Sequence, residues 1–229
     1  MIAALLKRAA ARLPESMQHE LRRQFFRRQI RAHSFVTNEI EYAMLDTLLA
    51  PGDWVLDIGA NVGHYSMRMS ELVGASGRVI AFEPVPDTFS LLVGNARFFA
   101  HPNVSLLNLA ASDRTAVEGM QIPRFSEGLL NYYQARLSDD SSSLRILTLP
   151  VDALELPASV KLVKIDVEGH ELPVLRGMLK LLERDHPVLI VETGSQETVD
   201  LLDRMGYVSE RLRGSSNLLC RQRKNGAGA

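Results

Sequence analysis

The sequence predicts a doubly wound α/β domain, and three observations predict it. Trp54 to Ser66 reads as a short strand, a tight glycine turn and the start of a helix. Downstream, short apolar runs alternate with helical segments. Four acids stand at the ends of such runs: Asp57 near the end of the first, and Glu83, Asp166 and Glu192 just past theirs. In an open parallel sheet that edge is where ligands bind.

Each element follows from local chemistry. Residues 1–31 carry eight basic side chains, Lys7 to Arg31, against Glu15 and Glu20. Pro14 separates two helices there. The favoured reading of this basic arm, residues 1–35, is a solvated helix packed on the domain; a membrane-surface helix or an arm for an anionic partner is the alternative. The apolar core is short and broken by Lys7 and Arg8, which argues against a cleaved signal peptide. Asn38 with Glu41 resembles a capping box for a helix running to about Leu49, ended by Pro51-Gly52.

Val55, Leu56 and Ile58 suit a strand covered on both faces. Gly59 and Gly63 permit backbone angles and close approaches that a Cβ blocks, and Asn61 tolerates a left-handed conformation. From His64 the pattern turns helical: Tyr65, Met69, Leu72 and Val73 share a face, and Gly74 stops the helix. Arg78–Phe82 is a second strand, and Pro86 opens the next helix. Val104–Leu109 is a third strand with Ala110 to Asp113 as its exit loop. Val117–Leu149 breaks the rhythm and is expected to form a hairpin or lid over the strand ends.

Val160–Ile165 is a fourth strand, followed by a helix over Leu172–Leu182 with Pro173 in its first turn. Pro187–Val191 is a fifth strand. Ser195 caps a helix to about Met205. Gly206–Val208 and Asn217–Arg221 close the sheet, so the domain runs over residues 36–224, and Asn225–Ala229 is expected to be a disordered tail.

Composition excludes several classes. At 229 residues the chain suits one large domain, and its net charge of −1 gives no case for nucleic-acid binding. Cys220 stands alone, so there is no internal disulfide or cysteine metal cluster, as suits a reducing, cytoplasmic setting. No apolar run is long enough to span a bilayer.

The glycine spacing, Gly-x-x-x-Gly with Asp57 two residues before, differs from the pyrophosphate-binding Gly-x-Gly-x-x-Gly. A pyrophosphate needs bare amides and is repelled by an acid; a cofactor carrying an ammonium and a sulfonium is attracted. That spacing disfavours a nicotinamide dehydrogenase. Glu83, at the end of the second strand, can accept both ribose hydroxyl hydrogen bonds of an adenosine cofactor.

The chain resembles the FkbM-type family of S-adenosylmethionine-dependent methyltransferases, within the class I methyltransferase fold. The resemblance rests on Val55 to Ser66, Phe82 to Pro86 with Asn95, Ala110 to Asp113, Leu162 to Glu171 with Val174 to Gly177, and Gly206-Tyr207. The Lys-Ile-Asp-Val-Glu-Gly run at 164–169 is its most family-specific part. The resemblance implies a Rossmann-like, mostly parallel seven-stranded sheet with the last strand antiparallel. It implies S-adenosyl-L-methionine as cofactor. Gly59, Asn61 and Gly63 would line its methionine and ribose portion, Asp57 would sit near its amino group, Glu83 would hold the ribose, and Ala111 to Asp113 would flank the adenine. Ala110 or Ala111 fills a position where many class I enzymes carry an adenine-binding acid, leaving Asp113 as a substitute beside main-chain contacts.

The family is associated with O-methylation of sugar and secondary-metabolite hydroxyls, so a small-molecule, glycan or glycolipid acceptor is implied. An alcohol is a poor nucleophile at neutral pH and is helped by a base. Asp166, Glu168 and His170 are the catalytic candidates, with Asp166 the first choice for a site role. Glu168 and Glu171 can instead serve the helix N-terminus. Trp54, Tyr132 and Tyr133 can stack on a sugar or pack the core and lid. His64 reads as structural. Metal assistance through Asp166 and Glu192 is one alternative. A non-catalytic cofactor-binding module docked to a membrane or partner is another. Peripheral membrane contact through residues 1–31 and self-association are compatible with the sequence.

Overall fold

The computed structural model describes residues 11–126, 128–138 and 144–223. The expectations for residues 1–10 and for the tail from 224 onward lie outside them. The main sheet has seven strands: β1 (Trp54–Ile58), β2 (Arg78–Phe82), β3 (Val104–Leu107), β8 (Val160–Ile165), β9 (Val188–Glu192), β10 (Tyr207–Arg211) and β11 (Asn217–Gln222). Their order is β10-β11-β9-β8-β1-β2-β3. β9, β8, β1, β2 and β3 run parallel, and β11 is antiparallel to both its neighbours. The last strand is therefore the antiparallel one. The chain reverses its direction of winding between β1 and β8, which is where an open sheet leaves a crevice at the C-terminal strand ends.

The pleat sorts side chains into two cores. Leu56, Ile58, Ile80, Val163, Ile165, Leu189 and Val191 pack on one face with α5 (Glu171–Arg176), α6 (Leu179–Asp185) and α7 (Gln196–Arg204). Val55, Val79, Leu162 and Ile190 pack on the other with α2 (Ile40–Leu48) and α3 (His64–Val73). This alternation puts Asp57 and Lys164, two residues beyond Val55 and Leu162, on the α2/α3 side, directly paired in register.

α1 (Glu15–Arg31) packs on α4 (Pro86–Ala96): Phe26 and Ile30 are buried with Phe35, Val62 and Leu91. Of the basic arm expected over residues 1–35, Glu15–Arg31 form this helix. Its other side leaves Met17, Leu21 and Phe25 exposed. His64 stacks on Phe35 at 3.9 Å between ring centres, a packing role.

Three expectations are corrected. Asn38 and Glu41 form no capping box: Glu39 is the N-cap of α2 and makes no side-chain cap bond. The Glu41 carboxylate is buried and accepts from Ser215 and Asn217 on the far side of the chain. The helix over Leu172–Leu182 is two helices, α5 and α6, because the chain bends at Gly177 and Met178. A Cβ on Gly177 would lie 1.8 Å from the Ser112 carbonyl oxygen, so a close approach of two backbones fixes the break. The third strand ends at Leu107, and Ala110–Ala111 forms a separate strand, β4, of a second sheet.

That second sheet is the irregular segment. β4, β5 (Ala116–Gln121), β6 (Arg136–Ser138) and β7 (Leu144–Leu149) pair in the order β4-β7-β5-β6. Val85, Ala110, Met120 and Ile146 form its small core. It therefore stands beside the exit of β2, at the ligand-binding edge of the main sheet.

Candidate active site

The turn after β1 is the scaffold. Gly59, Asn61 and Gly63 have φ of +86°, +51° and +98°. The Gly59 and Ala60 amides donate to the Phe82 carbonyl, at 3.0 and 2.9 Å, which ties the turn to the end of β2. A Cβ on Gly59 would lie 1.8 Å from the Asp166 carbonyl oxygen, so the turn closes against the exit of β8 as well. Asn95 Nδ2 donates to the Val62 carbonyl at 2.9 Å and anchors the turn on α4.

A cavity opens where β1, β2 and β8 end. It is lined by Gly59 and Asn61 of the turn, by Glu83 and Val85 after β2, by Ala110 and Ala111 of β4, and by Asp166, Glu168, His170 and Glu192. The second sheet closes it with Met120, Arg136 and Leu137, and the 3-10 turn Tyr132–Gln134 before β6 adds Tyr132 and Tyr133. This wall belongs to the segment for which a hairpin or lid is expected.

Glu83 is the best-held side chain of the site. Its Oε2 accepts from the Asn61 amide and its Oε1 from the Val85 amide, both at 2.9 Å. Burial pushes its carboxyl up to about 7, against the pull of those two bonds and with Asp57 and Asp166 adding to the rise. Each oxygen keeps lone-pair capacity for a further donor.

A charge network runs from the cavity wall to the buried Lys164. Lys164, 3% exposed, donates to Asp166 Oδ2 at 2.8 Å. Its ammonium sits 4.5 Å from the centre of the Tyr65 ring, and the Tyr65 hydroxyl donates to Glu39 Oε2 at 2.7 Å. Burial opposes the Lys164 charge, but Asp166 and Asp57 overcome it and raise its pKa. For Asp166, burial pushes up while the Lys164 ammonium and bonds from Lys164 and Glu192 hold the carboxyl below the usual range. Glu192 moves the other way, raised by burial and by Asp166, while Ser216 Oγ donates to it at 2.6 Å.

The structure brings together seven of the predicted site residues: Gly59, Asn61, Glu83, Ala111, Asp166, Glu168 and His170 all line the cavity. Asp57, Gly63 and Asp113 do not line it. Asp57 is buried behind the turn, where Ser66 Oγ donates to Oδ2 at 2.5 Å and Oδ1 has no hydrogen-bond partner among the described residues. Gly63 makes room for α4: a Cβ there would lie 2.6 Å from Leu92 Cδ1. Asp113 faces Arg114 at 3.7 Å. Trp54 packs against the core on the α5–α7 face.

His170 is half-buried, and burial lowers its pKa. Its Nε2 lies 2.9 Å from Ser112 Oγ. Glu168 is exposed, in a left-handed conformation with φ +51°. Glu171 Oε1 accepts from the Gly169 amide at 2.8 Å and so holds the loop before α5, the structural alternative for that residue. Among the described residues no group of three or more His, Cys, Asp or Glu is arranged to hold a metal ion.

Sequence reading missed two groups. Glu39 lines the cavity, yet nothing in its local sequence marks it. Lys164 had a readable signal: a lysine within an apolar strand run needs a buried acid to neutralise it.

The donor set fits a cationic adenosine cofactor. The cavity is lined by five carboxylates, Glu39, Glu83, Asp166, Glu168 and Glu192, and its back wall is a glycine turn with no room for a Cβ. Residues 57–211 match the Methyltransferase FkbM domain.

The chain belongs to the FkbM methyltransferase family.

Among relatives, it is 30% identical over 142 residues to the hexuronic acid methyltransferase AglP of Haloferax volcanii. That match covers 60% of this chain and 55% of that protein, so the chain spans about half the length of its relative. Its fold is shared with a methyltransferase FkbM from Methylobacillus flagellatus, with a TM-score of 0.55 at 17% identity, over 79% of this chain and 47% of that one. It is shared also with a precorrin-6y C5,15-methyltransferase from Geobacter metallireducens, with a TM-score of 0.50 at 16% identity, over 81% and 88%. Family and fold together assign S-adenosylmethionine as the cofactor of this FkbM domain. No helix among the described residues is long and apolar enough to cross a membrane.

Proposed function

We propose that this chain is an O-methyltransferase acting on a hydroxyl of a sugar or sugar-bearing small molecule. The observation that carries the reading is one cavity holding Glu83, Asp166 and Glu192 together with the half-buried imidazole of His170. When bound, S-adenosylmethionine supplies an electrophilic methyl group on a sulfonium. The chain's residues bind, orient and move a proton.

Glu83 takes the ribose hydroxyls on its remaining lone pairs. Gly59 and Asn61 frame the methionine and ribose portion, and Ala111 flanks the adenine. Asp57 acts at one remove, holding Ser66 and offsetting Lys164 from behind the turn. Gly63 shapes the turn against Leu92, and Asp113 stands beside Arg114.

His170 receives the acceptor proton. Burial keeps the imidazole neutral at pH 7, and Ser112 fixes the ring. With its proton on Nε2 and donated to Ser112, Nδ1 is left as the acceptor. Asp166 is held ionised by Lys164, which makes it a weak proton acceptor; it positions Lys164 and Glu192 instead. Glu168, exposed, adds negative charge to the cavity wall. The hexuronic acid in the relative's name supports a sugar acceptor.

The test is incubation with methyl-labelled S-adenosylmethionine and a panel of uronates, neutral sugars and hydroxylated metabolites. Label transfer to a hydroxyl is expected. Cofactor binding by calorimetry without transfer to any acceptor would mark a binding module instead.

Peripheral membrane contact is a second reading. Met17, Leu21 and Phe25 are exposed at successive turns of α1 beside Arg28. Cosedimentation with anionic vesicles, lost in Phe25→Asp, is the expected outcome.

A further inference from the structure

A second cavity, of about 210 Å³, lies between α1 and the irregular segment. Its walls are Leu21 and Arg22 on the helix and Phe125, Leu129 and Leu130 opposite. Tyr132 and Tyr133 line this cavity and the active-site cavity alike. The two spaces therefore border on the same pair of tyrosines.

The polar side chains of this mostly apolar cleft are Glu15, Gln18, His19 and Arg22 besides the two tyrosines, and Glu15 is paired with Arg124 at 3.6 Å, which leaves Arg22 as the cation facing the tyrosines. Its guanidinium lies over the Tyr132 ring, 4.5 Å from the ring centre. Burial lowers its pKa. Among the described residues no carboxylate stands within ion-pair distance of it. Asp87, an acid near enough to act on it, is engaged by the Tyr132 hydroxyl at 2.9 Å. A half-buried guanidinium without a paired carboxylate pays desolvation that an incoming anion returns, and its planar fork suits a carboxylate or a phosphate.

We propose that this cleft is the distal acceptor subsite, and that it takes an anionic amphiphile: a sugar carrying an acidic group at Arg22 and an apolar substituent along Leu21, Phe125, Leu129 and Leu130. The inference rests on the O-methyltransferase reading for the position of the methylated hydroxyl. Tyr132 and Tyr133 form the waist between the two cavities. Tyr132 is pinned by Asp87 and Arg22, so it serves as a fixed stacking face for the sugar ring.

Three probes below their micellar concentrations separate the contributions: octyl glucuronide, octyl glucoside and free glucuronate. Calorimetry is run on the full chain in the presence of S-adenosylhomocysteine. Octyl glucuronide is expected to bind about tenfold or more tighter than octyl glucoside, as a charge-assisted hydrogen bond in a half-buried site provides. It is expected to exceed glucuronate by at least as much through the buried chain. Arg22→Gln should erase the first difference and Arg22→Lys should retain part of it. Leu129→Ser should shrink the second. Cofactor affinity should stay within about twofold in all three variants. Equal binding of the two octyl glycosides by the wild type, or a preference that survives Arg22→Gln, would overturn the proposal. So would absence of binding by every probe. Loss of S-adenosylhomocysteine binding by the wild type would instead strike at the methyltransferase reading itself.

Discussion

Replacing Glu83 by Gln isolates the cost of keeping a carboxylate ready for the cofactor. The side chain is 5% exposed, and burial raises its carboxyl from an ordinary 4.5 to about 7. The folded state therefore holds this proton more tightly than the unfolded chain does. Unfolding releases it between those two values, so stability contributed by this group is full below about pH 4.5, falls as pH rises, and levels off above about pH 7. At roughly 1.4 kcal/mol per pH unit, the fall is on the order of 3 kcal/mol.

Gln has one acceptor oxygen where Glu has two. One of the two amides that serve Glu83, from Asn61 or Val85, then faces an NH2 group, at a cost of about 1–3 kcal/mol that does not vary with pH. The pH-dependent part is thus separable. In urea unfolding at half-unit steps from pH 4.5 to 8, the stability difference between wild type and Glu83→Gln should change by about 3 kcal/mol in the variant's favour. Parallel curves would refute the buried-carboxylate argument. The same titration governs ligand binding. Wild-type affinity for S-adenosylmethionine should strengthen as pH rises through about 7, whereas the Gln variant should bind weakly with no such dependence.

The other predictions follow from single contacts. Gly59→Ala forces a Cβ to within 1.8 Å of the Asp166 carbonyl at a φ of +86°, and should cost about 3 kcal/mol or more in thermal unfolding. Lys164→Met leaves Asp57 and Asp166 without their buried counter-charge; a loss of about 3–5 kcal/mol in denaturant titration is expected, and a near-neutral effect would show that the ammonium is not their partner. His170→Gln should slow methyl transfer by about 10²–10⁴-fold with cofactor affinity unchanged. Burial sets the His170 pKa below 6.5, so with cofactor saturating, where the Glu83 effect on affinity does not limit the rate, wild-type turnover should hold at pH 7 and fall only as pH drops below 6.5; that acid limb should be missing from the variant's residual rate.

Much of the sheet could be read from local sequence. Buried parallel strands need continuous β-branched and apolar runs, and β1, β2, β8 and β9 have them. Glycine turns and helix stops also act locally, and Gly59, Gly63 and Gly74 all take the positive φ that their neighbours require. The acids at strand ends were legible because apolar strands leave few other positions for charge. Less legible were features set by distant partners. Glu41 has the spacing of a cap, but its carboxylate is taken by Ser215 and Asn217. The break between α5 and α6 depends on the Ser112 carbonyl, far away in the chain.

The same division holds within the site. The sequence determined that Glu83, Asp166 and Glu192 reach the ligand edge, because strand period and turn chemistry are short-range. Only the tertiary structure decided their roles. It placed Lys164 against Asp166 and Asp57, set Asp57 behind the turn and brought Glu39 to the cavity. It also placed the second sheet and α1 so that Tyr132, Tyr133 and Arg22 form a cleft. Protonation and contact depend on burial and on charges several ångströms away through space, and no local spacing of residues encodes those distances.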